Sequence, residues 1–286
     1  MTYSLVRLLK AWWYSMTSQF FTLEQADASL CPAKQSHLTV RANHFNGRGD
    51  ITLLNHNLAG QSKPLIILLH GVFASHWAWQ YSVGIEQSFN SALAQNPALA
   101  DFVIAMPSDG LFADGSAYLP IKGQGDYEQW IVSDVIGAVR EAVTCIDFKS
   151  SIYIAGLSMG GYGALRLGCK YPNIFQGISA HSAITTLDEM GLFVRGSLDV
   201  YRQGNEKNSD IAYWAKRNKD QLPAICFDCG VDDPLIEGNR KFHTTLNKLG
   251  VSHQYQEHCG GHEFAYWAQH IMTTLKFFAR LEKSRN

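Results

Sequence analysis

The stretch Ile152-Tyr153-Ile154-Ala155-Gly156-Leu157-Ser158-Met159-Gly160-Gly161-Tyr162-Gly163-Ala164-Leu165 decides how the chain is read. Its first four residues form an unbroken apolar run, as expected of a strand buried on both faces. From Tyr162 the pattern turns helical. Between the two, Gly156-Leu157-Ser158-Met159-Gly160 matches G-x-S-x-G, a sharp strand-to-helix turn that exposes a serine oxygen. The five-residue match is weak alone, because a chain of this length carries it by chance roughly one time in ten. A strand leading in and a helix leading out supply the setting that the motif requires. The flanking glycines fit a strained turn with no room for a Cβ, and the following helix places its positive end near the serine. The alternative is a glycine-rich turn with an idle serine.

Working outward, short apolar runs recur on both sides. His37 to Phe45 and Asp50 to Leu54 predict an antiparallel pair joined through Asn46-Gly47 and Arg48-Gly49. Leu65 to Leu69, Phe102 to Met106, Gly177 to Ala180, Ala224 to Phe227 and His253 to Gln256 predict further strands. Helical stripes lie between them: Ile131, Val135, Ala138, Val139 and Ala142 form one, and Phe242, Leu246 and Leu249 another, stopped by Gly250. Alternation of strand and helix predicts an α/β fold, a mostly parallel eight-stranded sheet flanked by helices on both faces. Residues 37–286 are expected to form one domain. Ile184 to Gln221 is longer and more polar, and is expected to be a small cap over the sheet's carboxyl edge.

A serine hydroxyl needs a base to take its proton, and in this fold class the acid and then the histidine follow the serine in sequence. His262, after Gly260-Gly261 and before the last helix, is the expected base. Of the other histidines, His243 and His270 fall in helices and His253 in a strand, which leaves His258 as the nearest rival. The turn Gly230-Val231-Asp232-Asp233-Pro234 offers two candidate acids, Asp232 and Asp233, which spacing does not separate. Whichever is not catalytic reads as a helix cap. The oxyanion of an attacked carbonyl needs backbone donors: one is the amide of Met159, and the other belongs to the loop His70-Gly71-Val72-Phe73. Phe73 at the end of this loop is expected to line an acyl pocket, and Trp77 and Trp79 just beyond it are expected to wall the pocket, with burial in the core as the alternative for the two tryptophans.

Composition narrows the function classes. The 286 residues carry 24 basic and 25 acidic side chains, a net charge of -1, so no strong field attracts nucleic acid. Cys226 and Cys229 with His258 and His262 mimic a zinc pattern, but the interval between the pairs is about twice the usual length. No metal and no cofactor are therefore expected. The six cysteines are expected to be reduced thiols in a chain this long. Arg7 and Lys10 interrupt the first apolar run, no cleavage-site pattern follows, and the expected location is cytoplasmic. Leu5, Leu8, Leu9, Trp12, Trp13, Met16 and Phe20 have helical spacing, so residues 1–36 are expected to be an amphipathic helical extension. Packing on the domain or on a second copy is favoured over membrane-surface contact by residues 3–21, since only two cations flank the stripe.

The run Gly156 to Leu165, with Cys229-Gly230-Val231-Asp232-Asp233-Pro234-Leu235-Ile236 and Gly260-Gly261-His262-Glu263-Phe264-Ala265-Tyr266-Trp267, resembles the esterase D family. That family includes S-formylglutathione hydrolases and tributyrin-type acetylesterases, and the resemblance covers about Leu65 to Phe278. It implies an α/β-hydrolase fold, Asp233 as the acid, His262 as the base and the amide of Val72 as the second oxyanion donor. S-formylglutathione hydrolases typically show a Ser-Gly-Leu-Thr-Cys-like stretch where this chain has His70-Gly71-Val72-Phe73-Ala74-Ser75. The departure points to the carboxylesterase branch, acting on short- to medium-chain acyl or aryl esters. Three rivals use the same fold: a formylglutathione-type thioesterase, an acyltransferase with the same residues, and a non-catalytic binding protein.

Overall fold

The five residues Leu65–Leu69 are all buried because the strand they form divides its side chains between two cores. Leu65, Ile67 and Leu69 enter one, and Ile66 and Leu68 the other. A period-2 backbone facing apolar layers on both sides requires an unbroken aliphatic run. The computed structural model describes residues 18–202 and 206–285 and builds the sheet around this strand. Its strands are β1 (Leu23–Gln25), β2 (Gln35–Arg41), β3 (Arg48–Leu54), β4 (Leu65–Leu69), β5 (Val103–Pro107), β6 (Ile152–Leu157), β7 (Phe175–His181), β8 (Ala224–Gly230) and β9 (His253–His258). Their spatial order is β1-β2-β3-β5-β4-β6-β7-β8-β9. Pairing is antiparallel from β1 to β5 and parallel from β5 across to β9.

The sheet therefore has nine strands where eight are expected. The addition is β1, whose residues 23–25 pair with Val40, Thr39 and Leu38 of β2. A three-residue edge strand has no periodicity of its own to read, and its pairing is supplied by the neighbour. So the region before residue 37, expected as a helical extension, contributes a strand to the sheet. The helix expected over residues 3–21 lies outside the described residues up to residue 17. Phe20 is buried in the core, and Gly137 of the opposing helix leaves room for the neighbouring Gln19 side chain, whose amide nitrogen a Cβ there would approach to 2.0 Å.

Helices α1 (Ile85–Gln95), α2 (Ile136–Ala142), α3 (Met159–Lys170), α4 (Ile211–Arg217), α5 (Ile236–Leu249) and α6 (Phe264–Lys283) complete the layers. Ile85 and Phe89 of α1 share a core with Ile271, Leu275 and Phe278 of α6. Ile136 and Val139 of α2, Leu165 of α3 and Leu246 of α5 pack on the other face. Gly250, with φ of 71°, ends α5 in the left-handed conformation that glycine adopts at least cost. Between Ile184 and Gln221 the described chain forms only short helical pieces, among them Leu187–Leu192 and α4. Among the described residues no helix is long and apolar enough to cross a membrane.

Candidate active site

The carboxyl ends of the parallel strands place three loops side by side. The turn from β6 into α3 holds Ser158 at φ 54° and ψ -119°, a conformation that costs a non-glycine residue roughly 1–3 kcal/mol. The surrounding glycines make the turn possible. A Cβ on Gly156 would lie 2.1 Å from the Gly160 carbonyl oxygen, and one on Gly160 would lie 2.1 Å from the Leu69 carbonyl oxygen. Hydrogen bonds from the Ser158 amide to His181 (3.0 Å) and from the Tyr162 and Ile184 amides to the Ser158 carbonyl (3.1 and 3.2 Å) hold the strained residue in place.

The loops after β8 and β9 meet because Gly230 has no side chain: a Cβ there would lie 2.2 Å from the Gly260 carbonyl oxygen. The amides of Val231 and Asp232 donate to the carbonyls of His258 (2.8 Å) and Gly260 (3.0 Å). This arrangement separates the two aspartates. Asp232 is exposed, whereas Asp233 is buried and accepts from the Leu235 amide through Oδ1 at 2.8 Å. Its Oδ2 lies 2.8 Å from Nδ1 of His262, and Nε2 of the same ring lies 2.9 Å from Ser158 Oγ. An ionised carboxylate only accepts, so His262 carries its proton on Nδ1 and leaves Nε2 to accept from the serine hydroxyl.

Phe193 stacks on the His262 ring (centroids 4.8 Å apart, planes at 27°), and Trp267 meets it edge-on at 5.0 Å. The two aromatics restrict rotation of the imidazole and shield it from water. With Gly71, Val72, Ala74, Ala78, Leu157, Glu263 and Phe264, they line a cavity of about 150 Å³ that opens on Ser158. Gly71 lies against the serine, since a Cβ on it would be 3.3 Å from Ser158 Cβ. Met159 is the first residue of α3.

The aromatic wall differs from the expected one. Trp79 is 1% exposed and its indole N–H donates to the Leu69 carbonyl at 3.1 Å, so it belongs to the core beneath the cleft. Phe73 and Trp77 are exposed outside the cleft lining, 66% and 40% respectively. Their place is taken by Phe193, Phe264 and Trp267. Phe264 and Trp267 stand two and five residues after His262, a nearness visible in the sequence. Phe193 has no local signal.

The cysteine–histidine pattern does not converge. His258 stacks on His270 with centroids 4.2 Å apart, and His262 is engaged with Asp233 and Ser158. Burial pushes the Cys226 thiol up to about 12 and raises Cys229 as well, so both remain protonated near neutrality. Among the described residues no group of three or more His, Cys, Asp or Glu side chains is placed to hold a metal ion. All six cysteines are free thiols.

A second hydroxyl–imidazole–carboxylate chain lies behind the first. Thr274 Oγ1 is 2.8 Å from His181 Nε2, and His181 Nδ1 is 2.8 Å from Asp228 Oδ2. His181 and Thr274 have no exposed surface, so this chain meets no substrate and serves to tie β7, β8 and α6 together. Geometry alone does not distinguish the two chains; access does.

Comparisons with known proteins place the whole chain rather than its individual site residues. The family described as "Putative esterase" matches residues 48–278. An acetyl esterase of Caldicellulosiruptor saccharolyticus is 27% identical over 238 residues, 77% of this chain and 85% of the relative. Among solved structures, fluorophosphonate-binding serine hydrolase F of Staphylococcus aureus superposes with a TM-score of 0.72 at 22% identity, covering 87% of this chain and 99% of that one. An S-formylglutathione hydrolase from the same organism superposes with a TM-score of 0.67 at 20% identity, covering 90% and 99%. The chain belongs to the esterase family, and its likeness to these solved structures shows that it shares their α/β fold.

Proposed function

We propose that the protein is a carboxylesterase for short- to medium-chain acyl or aryl esters, with Ser158, His262 and Asp233 as its catalytic triad. The observation that carries this reading is the chain of 2.9 and 2.8 Å hydrogen bonds from Ser158 Oγ through His262 to Asp233 at an open, largely apolar cavity. Ser158 Oγ attacks the ester carbonyl while His262 Nε2 takes its proton. The amides of Met159 and Val72 receive the oxyanion. Asp233 holds the Nδ1–H tautomer and stabilises the imidazolium. The tetrahedral intermediate collapses as His262 returns the proton to the departing alcohol. Water, deprotonated by the same imidazole, then releases the acid from the acyl-enzyme.

The lining of Val72, Ala74, Ala78, Leu157, Phe193, Phe264 and Trp267 favours an apolar acyl or aryl group over a charged one. The segment from Ile184 to Gln221 acts as a small cap, because Phe193 from this segment packs on the catalytic imidazole. The substrate is a small-molecule ester, and a cytoplasmic location suits the six free thiols.

Nitrophenyl esters of increasing chain length, together with S-formylglutathione, test the reading. Wild type is expected to turn over short nitrophenyl esters and to react with a fluorophosphonate, and Ser158→Ala to do neither. Equal turnover by wild type and Ser158→Ala on every ester and thioester would remove Ser158 from the reaction. A thioester preference would move the assignment to the formylglutathione type, and transfer to an added alcohol would indicate an acyltransferase.

A further inference from the structure

His70 opens the loop that faces the nucleophile, and both of its ring nitrogens are engaged by backbone groups. The Asp109 amide donates to Nε2 at 3.0 Å. Nδ1 lies 2.7 Å from the Gly71 carbonyl oxygen. A backbone amide can only donate and a carbonyl can only accept, so the tautomer is determined: Nε2 is bare and Nδ1 carries the proton. The ring is 1% exposed, and burial depresses its basicity, which keeps this neutral form in place. The Tyr118 hydroxyl holds the carbonyl of His70 itself at 2.8 Å. Two consecutive carbonyls of the loop are thus fixed from behind.

A trans peptide is planar, and its C=O and N–H point in opposite directions. Holding the Gly71 carbonyl against the His70 ring therefore aims the Val72 N–H the other way. Val72 lines the cavity on which Ser158 opens. We infer that His70 is a positioning residue for oxyanion stabilisation, setting the orientation of the Gly71–Val72 peptide through its Nδ1–H and anchoring its own ring on the Asp109 amide. The inference rests on the reading of Val72 as an oxyanion donor.

Two substitutions separate the two bonds. In His70→Asn the side-chain amide nitrogen takes the place of Nδ1 and keeps the donor to Gly71. In His70→Gln the amide oxygen takes the place of Nε2 and keeps the acceptor for Asp109, while the donor to Gly71 is lost. With a nitrophenyl butyrate, His70→Gln is expected to lose about 10- to 100-fold in kcat, part of the roughly 10²–10³ that a whole oxyanion donor supplies. Its KM should stay within about threefold, because the ground-state carbonyl uses the amide little. An aryl trifluoromethyl ketone, which forms a hemiketal with Ser158, should weaken in Ki by the factor lost in kcat/KM. His70→Asn should recover most of kcat.

The inference is overturned if His70→Gln keeps kcat within about threefold of wild type, or if both variants lose it equally. It is also overturned if the loss appears in KM while the ketone Ki is unchanged. Ser158→Ala run alongside distinguishes the two levels: activity in that variant removes the triad reading itself, whereas an inactive Ser158→Ala leaves the His70 result to speak for the loop alone.

Discussion

Replacing Asp233 with asparagine tests the acid at the level of single hydrogen atoms. The two carboxylate oxygens have different partners: Oδ1 accepts from the Leu235 amide at 2.8 Å and Oδ2 faces Nδ1 of His262 at 2.8 Å. Asparagine offers one acceptor and one donor in the same shape. The Leu235 N–H can only donate, so the amide oxygen must turn towards it. That leaves the NH₂ group facing His262, which must then present a bare Nδ1 and carry its proton on Nε2. In that tautomer the ring cannot accept the proton of Ser158 Oγ, 2.9 Å away. Exchanging the acid for its amide in a serine-protease triad costs about 10⁴ in kcat, or roughly 5.4 kcal/mol at 1.36 kcal/mol per tenfold. The expected outcome is a fall of that order in nitrophenyl butyrate turnover, with a thermal midpoint close to wild type because the shape is retained. Asp232→Asn, at the exposed neighbour, should stay within about twofold. Asp233→Asn within tenfold of wild type, or a larger loss in Asp232→Asn, would refute the assignment.

Two further outcomes follow from the geometry. Gly160→Ala places a methyl group 2.1 Å from the Leu69 carbonyl oxygen and 2.5 Å from its carbon. The backbone of β4 or α3 must then move, costing about 1–3 kcal/mol and misplacing Ser158, so kcat should fall at least about a hundredfold; normal turnover would show that the turn tolerates a side chain. Stability should also decline as pH falls below about 6.5, since burial depresses the basicity of His70, His270, His76, His253 and His56 in the fold. The unfolded chain takes up protons first in that window, so its proton uptake exceeds that of the native state and acid favours unfolding. Urea midpoints at pH 7.5 and 5.5 measure this: the lower pH should give the lower midpoint, His70→Asn should lessen the difference, and a flat profile would refute it.

The sheet and its flanking helices were legible because their signals are local. An aliphatic run such as Leu65–Leu69 or Ile152–Ala155 has one good environment, between two apolar layers, and the stripe from Ile131 to Ala142 has one buried face. β1 was not legible, because three residues at a sheet edge take their conformation from β2. His262 stood out among eleven histidines because the Gly260-Gly261-His262 loop follows the last strand, and the structure brings it within hydrogen-bond reach of Ser158. The acid could not be separated on residues alone. Asp232 and Asp233 are adjacent and chemically identical, and only the approach of Gly230 to Gly260 points one inward and leaves the other in solvent. The aromatics show the same limit: Trp77, Trp79 and Trp267 are alike as residues, yet one is exposed, one is core and one lies against the imidazole of His262.

By itself, then, the sequence determined the strand–turn–helix at Ser158, the order of the loops that follow, and the esterase chemistry they imply. These depend on periodicity, on glycine where a Cβ has no room, and on residue types that a hydroxyl nucleophile requires. The tertiary structure decided which aspartate faces His262, which aromatics enclose it, and why one of two similar hydroxyl–imidazole–carboxylate chains opens on a cavity while the other is buried. Those choices depend on distances and solvent access between segments far apart in the chain. Such quantities arise only when the strands are assembled side by side and their carboxyl ends open on a common cleft.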